Sequence, residues 1–290
     1  MSTYPVRTLL LAAATSLISA CQATFFGGVN LFASNDGIVV ERDVTFAAGL
    51  DLALDVYRPE RPGAHAPVVV FFYGGSWRSG QRSWVAFVGR ALARRGAIVV
   101  IPDYRKAPDV MFPAFIGDAA KAVVWAKNNA TRLGGRPDHL YVMGHSAGAH
   151  VAAMLATDAR FLAQEGMKPL NLAGMIGLAG PYDFLPITSR KLLEVFGPPA
   201  GHAASQPINF VDGDEPPFLL LHGTDDSVVW PRNSERLATR LRAAGVPVEV
   251  TLYPDLGHPG ILLALSPRTH ISTPVLDDIS RYLKLDMPPR

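Results

Sequence analysis

The sequence predicts an α/β fold: a mostly parallel central sheet with an antiparallel hairpin at its N-terminal edge and helices on both faces. Short, uninterrupted apolar segments, which suit strands covered on both faces, alternate along the chain with longer segments of helical periodicity. This alternation is typical of strand-helix-strand units, which place successive strands parallel in one sheet. Ahead of them, residues 38–46 and 50–57 alternate apolar and polar side chains, as the strands of a half-exposed hairpin do.

The expected elements form one domain over residues 37–290, because no shift in composition divides this part of the chain. The remaining strands are expected at 68–72, 97–101, 140–143, 175–178, 218–221 and 248–253. Helices are expected at 84–95, 113–129, 147–157, 233–244 and 274–283. Residues 181–217 are irregular and rich in Pro and Gly, so this segment is either a small cap beside a site or a solvated surface loop.

The charge balance gives no reason to expect a polyanionic partner. The 290 residues include 27 Lys and Arg and 25 Asp and Glu, so the net charge is +2 and nucleic acid is not expected as a ligand. The chain has one cysteine, which excludes an internal disulfide and a zinc site built from thiolates. It has neither a nucleotide-binding glycine motif nor a grouping of His and carboxylates at metal-ligand spacing. We therefore expect no cofactor and no metal, and the oligomeric state stays open.

An export signal is predicted for residues 1–20. Arg7 is followed by the uncharged, mainly apolar residues 8–20, a stretch too short to span a bilayer comfortably as a permanent helix. We therefore expect the protein to be exported from the cytoplasm.

The signal ends in the sequence I-S-A-C, whose cysteine is Cys21. This ending resembles the lipobox of bacterial lipoproteins, in which the cysteine is lipidated and becomes the new N-terminus. The resemblance implies a lipid anchor on Cys21, a tether over residues 21–36 and a periplasmic or outer-membrane location. Ordinary cleavage, for example after Ala23, would give a soluble periplasmic or secreted protein instead, and the sequence leaves both outcomes open.

Residues 140–157 predict a strand, a sharp turn and a helix, with Ser146 at the apex of the turn. Gly144 and Gly148 flank the serine at positions where a Cβ would clash between a closely packed strand and helix. The hydroxyl of Ser146 is therefore expected to stand clear of the sheet. The N–H of Ala147 would point from the first helical turn toward an oxygen bound beside the serine. Ser146 is thus the candidate nucleophile.

A serine nucleophile needs a base that takes its proton and a carboxylate that orients the base. Both groups should follow strands, because the crevice of an open α/β sheet lies at the carboxyl ends of its strands. The strand at 218–221 is followed by Asp225 and Asp226, and either could supply the carboxylate. The strand at 248–253 is followed by His258, on a loop rich in Gly and Pro, which makes this histidine the candidate base.

The strand at 68–72 runs directly into the sequence Y-G-G-S-W at 73–77. Paired glycines allow backbone N–H groups to approach a bound oxygen without interference from side chains. Gly74 and Gly75 are therefore candidate donors to an oxyanion.

Several segments, taken together, resemble esterases of the α/β-hydrolase superfamily. This group includes bacterial feruloyl and acetyl esterases, carboxylesterases related to hormone-sensitive lipase, and kynurenine formamidases. The segments are Y-G-G-S-W at 73–77, D-Y-R-K-A-P at 103–108 with F-P-A at 112–114, G-H-S-A-G at 144–148, H-G-T-D-D-S-V-V at 222–229, and His258. The similarity covers residues 38–283. Tyr73 stands where the family's oxyanion motif, H-G-G-x-W, has histidine.

The resemblance implies the α/β-hydrolase fold and a serine esterase that acts through an acyl-enzyme on a small-molecule ester, with a small or short acyl group. It implies a catalytic triad of Ser146, Asp226 and His258, in the chain order of this fold. Asp226 is preferred to Asp225 because the family's acid occupies the fifth position of H-G-x-x-D-x-x-V.

The resemblance also assigns residues around the triad. The N–H of Ala147, together with that of Gly74 or Gly75, would hold the oxyanion, and the segment at 103–108 would brace the oxyanion loop. Expected substrate contacts are Ser76, Trp77 and Tyr182. Structural roles are expected for His145 in the turn, His222 within its loop and His150 in packing.

Two alternatives remain open. An amidase, formamidase or peptidase would use the same triad. A binding protein with this fold and no catalytic activity is the alternative of another class.

Overall fold

The protein is described by a computed structural model, which covers residues 28, 30, 34–266, 269 and 271–285. The strands in this part of the chain are β1 (Ile38–Ala47), β2 (Leu52–Pro59), β3 (Val68–Phe72), β4 (Ile98–Pro102), β5 (Leu140–His145), β6 (Gly174–Leu178), β7 (Phe218–Gly223) and β8 (Val248–Tyr253). They form one sheet in the order β1-β2-β4-β3-β5-β6-β7-β8. β1 pairs with β2, and β2 with β4, in antiparallel fashion, whereas all other pairs are parallel. The predicted parallel sheet with an antiparallel hairpin at its N-terminal edge is confirmed.

The helices in the described residues are α1 (Ala86–Arg94), α2 (Ala114–Leu133), α3 (Ala147–Thr157), α4 (Ala159–Ala163), α5 (Arg190–Phe196), α6 (Arg232–Ala243), α7 (His258–Leu263) and α8 (Val275–Tyr282). The five helices that the periodicity predicts are present with small shifts at their ends, and the structure adds α4, α5 and α7, which were not among them. The segment expected to be helical from residue 84 begins as the 3-10 turn Arg82–Val85 before α1.

The direction of the crossovers places helices on both faces of the sheet. β3 connects to β4 through α1, and β4 connects back past β3 to β5 through α2. Because parallel crossovers are right-handed and these two run in opposite directions across the sheet, α1 and α2 lie on opposite faces. An ion pair of 2.9 Å joins Arg95, just after α1, to Asp277 in α8, which places α8 beside α1.

The central strands β3, β4, β5 and β6 are buried along their whole length, as expected for a sheet covered on both faces. The carboxyl ends of β3, β5, β7 and β8 meet at one edge of the sheet, because these strands are parallel. The candidate oxyanion loop, nucleophile, acid and base follow these four strands in that order along the chain.

The irregular segment 181–217 is packed onto the domain and is not a solvated loop. It contains α5 and the 3-10 helices Pro199–Ser205 and Pro207–Phe210. Val195 and Phe196 are buried in the core, and the carbonyl of Val195 accepts a hydrogen bond of 2.9 Å from the Phe112 N–H. The amide oxygen of Gln206 accepts one of 2.8 Å from the Phe184 N–H.

The predicted signal 1–20 and Cys21 lie outside the described residues. Of the predicted tether, Asn30 donates hydrogen bonds of 3.0 Å to the carbonyls of Ser83 and Trp84, and the Asn35 side chain accepts one of 2.9 Å from Arg90. The described end of the tether is thus bound to the domain beside α1. No helix in the described ranges is both long and apolar enough to cross a membrane.

Candidate active site

The structure brings Ser146, His258 and Asp226 into one chain of hydrogen bonds. The Oγ of Ser146 lies 2.8 Å from Nε2 of His258, and Nδ1 of the same ring lies 2.7 Å from Oδ2 of Asp226. Asp225 points elsewhere: it is exposed, and its carboxylate accepts a hydrogen bond from the hydroxyl of Thr224. Of the two aspartates, only Asp226 can orient the histidine.

Ser146 occupies a strained turn between β5 and α3. Its φ of 55° and ψ of −123° lie in a region that side-chain-bearing residues rarely adopt, and such strain is common at catalytic positions. The two flanking glycines make the turn possible. A Cβ on Gly144 would lie 2.2 Å from the carbonyl oxygen of Gly148, and one on Gly148 would lie 2.0 Å from that of Phe72. The predicted close packing of strand and helix is therefore present at this turn.

Asp226 is held as a carboxylate inside the protein. Its Oδ1 accepts hydrogen bonds from the N–H groups of Val228, at 2.9 Å, and Val229, at 2.8 Å. Burial raises the pKa of Asp226, but hydrogen bonds from His222, His258 and Val229 outweigh burial and hold the pKa below the ordinary 3.8. The negative charge is thus available next to Nδ1 of His258, where it favours the Nδ1–H tautomer and leaves Nε2 facing the serine.

Two other histidines fix the loops that carry the acid and the base. His222 donates from Nε2 to the Val229 carbonyl at 2.8 Å, and Nε2 also lies 3.3 Å from Asp226, so its predicted place within the acid loop is present. His145 donates from Nε2 to the main-chain carbonyl of His258 at 3.0 Å. Burial, followed by the nearby His258, lowers the pKa of His145 to about 3, so its ring is neutral. His145 therefore reaches across to the base as well as standing in the turn.

The loop after β3 presents backbone donors beside the serine. A Cβ on Gly74 would lie 3.0 Å from the Cβ of Ser146, so this loop passes directly over the nucleophile. Within the described residues, the N–H groups of Gly74 and Gly75 donate to no protein acceptor. Ala147 is the first residue of α3, where an N–H has no partner inside its own helix. These are the three predicted oxyanion donors, and two of them, Gly74 and Gly75, line the same cavity as Ser146.

Residues 103–106 brace this loop. The Tyr104 hydroxyl donates to the main-chain carbonyl of Tyr73 at 2.8 Å, and the two rings are stacked with centroids 4.8 Å apart. The Tyr73 hydroxyl donates to Asp103 at 2.8 Å and accepts from the ammonium of Lys106 at 3.0 Å. Tyr73, in the position of the family's histidine, is therefore fixed at both its main chain and its phenol.

Trp77 joins the oxyanion loop to α3 and to the 181–217 segment. Its indole N–H donates to Nδ1 of His150 at 3.2 Å, and Nε2 of His150 donates to the carbonyl of Ser205 at 2.8 Å. The Trp77 ring also packs on Phe184 and Phe196. Burial lowers the pKa of His150 to about 4, although the Ser205 carbonyl opposes this shift. Packing was expected for His150, and its two directed hydrogen bonds were not.

The structure corrects one predicted substrate contact. Tyr182 is fully buried, and its hydroxyl lies where a Cβ on Gly177 would come within 1.9 Å. Its side chain lines neither of the two cavities beside Ser146, because it points into the core beneath β6. Ser76 and Trp77, the other two predicted contacts, do line the space next to the serine.

Two cavities meet at Ser146. The first, of about 220 Å³, has His258 in its wall and is called the His258 cavity here. The second, of about 310 Å³, is bounded by Trp77 and by residues 181–192 and 228–233, and is called the Trp77 cavity. No group of three or more His, Cys, Asp and Glu side chains in the described ranges is arranged to hold a metal ion.

Most of this chain is similar in sequence to known proteins. A family model described as BD-FAE matches residues 54–241, which is more than half of the chain. A probable isoprenylcysteine alpha-carbonyl methylesterase of Oryza sativa subsp. japonica is 32% identical over 234 residues, which make up 72% of this chain and 56% of that protein. Esterase LipQ of Mycobacterium tuberculosis is 32% identical over 217 residues, or 68% of this chain and 51% of that protein. The chain spans about half the length of these curated relatives.

Solved structures share the fold. Esterase B from Lactobacillus rhamnosis, inhibited by a C6-C4 SN3 compound, superposes with a TM-score of 0.79 at 22% identity, over 95% of this chain and 96% of that chain. A truncated carbohydrate esterase from gut microbiota gives 0.74 at 21% identity, over 87% of this chain and 97% of that chain. The predicted resemblance to esterases of the α/β-hydrolase superfamily is confirmed. With its family model spanning β2 to α6, and with the fold of these structures, the chain belongs to the BD-FAE family of the α/β-hydrolase superfamily.

Proposed function

We propose that this protein is a serine hydrolase that cleaves carboxylic esters with Ser146 as nucleophile, His258 as base and Asp226 as the orienting acid. The observation that carries the proposal is the continuous chain of hydrogen bonds, 2.8 Å and 2.7 Å long, at the apex of a strained strand-to-helix turn. The names of the relatives, esterases and methylesterases, support the same reaction class.

In the first half of the reaction, Oγ of Ser146 forms a bond to the ester carbonyl carbon while its proton passes to Nε2 of His258. The imidazolium that results is stabilised by the Asp226 carboxylate at Nδ1. The carbonyl oxygen becomes an oxyanion, and in this proposal the N–H groups of Gly74 or Gly75 and of Ala147 donate to it.

The first half ends when the tetrahedral intermediate collapses and the bond to the alcohol oxygen breaks. That oxygen takes the proton from Nε2 and leaves as the alcohol, while the acyl group stays on Oγ. Water then attacks the acyl-enzyme and gives its proton to Nε2, and the second collapse releases the acid and returns the proton to Ser146.

We propose esters with a small or short acyl group as substrates. One relative is named for the methyl ester of an isoprenylcysteine, and one structural neighbour is named as an acetyl ester-xyloside bifunctional hydrolase. The acetyl group is a two-carbon acyl group and supports a short acyl chain, whereas the methyl group in the methylesterase name lies on the alcohol side of the ester.

The test is hydrolysis of p-nitrophenyl acetate and butyrate by the purified protein. Ser146→Ala is expected to remove several orders of magnitude of kcat. Ser272→Ala is the matched control, because Ser272 is exposed, its hydroxyl makes no hydrogen bond with the described residues, and it lines neither cavity at Ser146. Undiminished turnover by Ser146→Ala would refute the nucleophile.

Two further measurements separate this function from its alternatives. N-formylkynurenine and a proline anilide, assayed beside the esters, distinguish an esterase from a formamidase or a peptidase. A fluorophosphonate probe should label the wild type and not Ser146→Ala, whereas an unlabelled wild type would favour a binding protein.

We also propose that the protein is exported and carries a lipid on Cys21, which would place this site at the cell envelope. The support is the I-S-A-C ending of the signal sequence. Expression in a bacterial host followed by mass spectrometry of the N-terminal peptide tests it: a diacylglyceryl group on Cys21 is expected. An unmodified N-terminus that begins after Ala23 would show ordinary cleavage instead.

A further inference from the structure

The two cavities that meet at Ser146 differ in the one group that handles the proton. His258 and the following residues Pro259, Leu262 and Leu263 lie in the wall of the His258 cavity. The described lining of the Trp77 cavity contains Ser146 and no histidine. An ester bound at Ser146 must extend into both cavities, because its acyl and alcohol parts leave the carbonyl carbon in different directions.

The chemistry of the leaving group decides which part lies in which cavity. When the bond between the carbonyl carbon and the alcohol oxygen breaks, that oxygen must receive the proton held on Nε2 of His258. Proton transfer of this kind needs the two atoms within about 2.6–3.2 Å. The alcohol oxygen must therefore lie on the His258 side of Ser146, and the acyl group is left to point the other way.

The second half of the reaction leads to the same arrangement. After the alcohol leaves, water must reach the acyl carbon and give its proton to the same Nε2 atom. The space that the alcohol vacates in the His258 cavity provides this path. If the acyl chain occupied the His258 cavity, it would stand between the incoming water and its base.

The walls of the two cavities differ in composition. The Trp77 cavity combines the charged residues Asp183 and Arg232 with five large apolar side chains, which are Trp77, Phe184, Leu185, Leu192 and Trp230. Trp230 is 58% exposed at its rim, which is high for so large an apolar residue. The His258 cavity adds the exposed amide of Gln81 and the hydroxyl of Ser79 to its apolar residues.

We propose that the acyl group of the substrate binds in the Trp77 cavity and the alcohol in the His258 cavity, so that residues 181–192 select the acyl chain and residues 79–85 select the alcohol. The 181–217 segment then acts as the acyl-specificity element. This assignment rests on the proposed ester hydrolysis. It extends that function by giving each half of the ester its own determinants on this chain.

The experiment uses one variant in each cavity and two substrate ratios. Leu192→Trp narrows the Trp77 cavity from α5, and Gln81→Trp narrows the His258 cavity from an exposed position. The acyl ratio is kcat/KM for p-nitrophenyl octanoate over p-nitrophenyl acetate. The alcohol ratio is kcat/KM for 1-naphthyl acetate over ethyl acetate.

Leu192→Trp is expected to lower the acyl ratio about tenfold or more and to change the alcohol ratio less than about twofold. The reason is that room for even one methylene group in an apolar pocket changes the ratio of kcat/KM between two substrates about tenfold or more. Gln81→Trp is expected to lower the alcohol ratio about tenfold or more and to change the acyl ratio less than about twofold. Leu192→Ala, which enlarges the same cavity with little demand on packing, should raise the acyl ratio, and circular dichroism reports whether each variant is folded.

Two results would overturn the assignment. One is a change in the alcohol ratio caused by Leu192→Trp or Leu192→Ala, and the other is a change in the acyl ratio caused by Gln81→Trp. Equal movement of both ratios by both variants would also overturn it, since the cavities would then share one occupant. Failure of the proposed function looks different, because the wild type would hydrolyse neither series.

Discussion

The Tyr104 hydroxyl donates a 2.8 Å hydrogen bond to the main-chain carbonyl of Tyr73, and that carbonyl belongs to the peptide unit whose N–H is on Gly74. The bond therefore fixes the plane of a proposed oxyanion donor from the side opposite the substrate. Burial and the nearby Asp103 raise the pKa of Tyr104, so the phenol keeps its proton over the working pH range.

Tyr104→Phe is expected to lower kcat about tenfold for p-nitrophenyl acetate with a small change in KM. The reason is that a misaligned donor costs part of the roughly 10²–10³-fold that is lost when an oxyanion donor is removed. Tyr282→Phe is the matched control, because Tyr282 also donates to a main-chain carbonyl at 2.8 Å, that of Pro217, at the amino-terminal end of β7. Equal kcat for the two variants would contradict the positioning role.

Asp226→Asn is expected to lower kcat by about 10⁴-fold, the loss seen when the orienting carboxylate of a serine triad becomes an amide and the histidine adopts the wrong tautomer. Asp225→Asn should keep kcat close to that of the wild type, since Asp225 is exposed and bonded to Thr224. Steady-state kinetics on p-nitrophenyl butyrate measure both. A larger loss in Asp225→Asn than in Asp226→Asn would reverse the assignment of the acid.

Much of the sheet and of the site can be predicted from local sequence. The strands β3, β4, β5 and β6 are uninterrupted apolar segments because both of their faces are covered, and this pattern needs no tertiary information. The motifs that follow β3, β5, β7 and β8 come together because parallel strands end at one edge of the sheet. A prediction of strand order therefore also predicts which loops are neighbours.

What the sequence did not predict depends on side-chain direction. Tyr182 follows β6 and was expected at the site, but its ring turns into the core against Gly177 and Gly180, where the absence of a Cβ leaves room for it.

The helix α7 was expected to be a loop because Pro259 and Gly260 lie in it. Proline is tolerated there since its missing N–H falls in the first turn, where no helical partner exists.

The hydrogen bonds of His150 could not be predicted from the sequence either. They join it to Trp77 and Ser205, which lie 73 and 55 positions away along the chain. Only the tertiary packing of Trp77 and Ser205 on α3 creates them. A histidine on the buried face of a helix gives no local sign of such partners.

The burial of His150, which lowers its pKa, predicts a dependence of stability on acid. Its pKa is about 4 in the folded protein and about 6.5 when unfolded, so below pH 6.5 the unfolded chain binds the proton more readily. The lowered pKa therefore makes stability fall as pH decreases from 6.5 toward 4, and at pH 5 the loss from this one group is about 2 kcal/mol.

His150→Gln is expected to remove this contribution. Urea denaturation at pH 7 and pH 5 gives the loss of unfolding free energy for each protein, and the loss should be smaller in the variant by about 2 kcal/mol. The carboxylates titrate in both proteins, so their contribution to the loss of unfolding free energy cancels in the comparison. If both proteins lost the same unfolding free energy between pH 7 and pH 5, His150 would be protonated in the folded state.

Gly148→Ala and Gly117→Ala are expected to have opposite effects, although both place alanine in a helix. A Cβ on Gly148 would lie 2.0 Å from the Phe72 carbonyl oxygen, so the strand before the oxyanion loop must shift. Gly117, in the first turns of α2, has no atom within 4 Å of such a Cβ. There alanine gains about 0.5–1 kcal/mol of unfolding free energy by its helix propensity, whereas at 148 we expect a loss of about 3 kcal/mol or more.

Urea midpoints measure both changes, and p-nitrophenyl acetate turnover of any folded Gly148→Ala protein reports on the turn itself. Because the steric conflict lies between α3 and β3, that turnover should fall together with stability, while Gly117→Ala keeps full turnover. A Gly148→Ala protein with wild-type stability and turnover would mean that strand and helix can separate without moving Ser146, and the strained turn would then not be what positions the nucleophile.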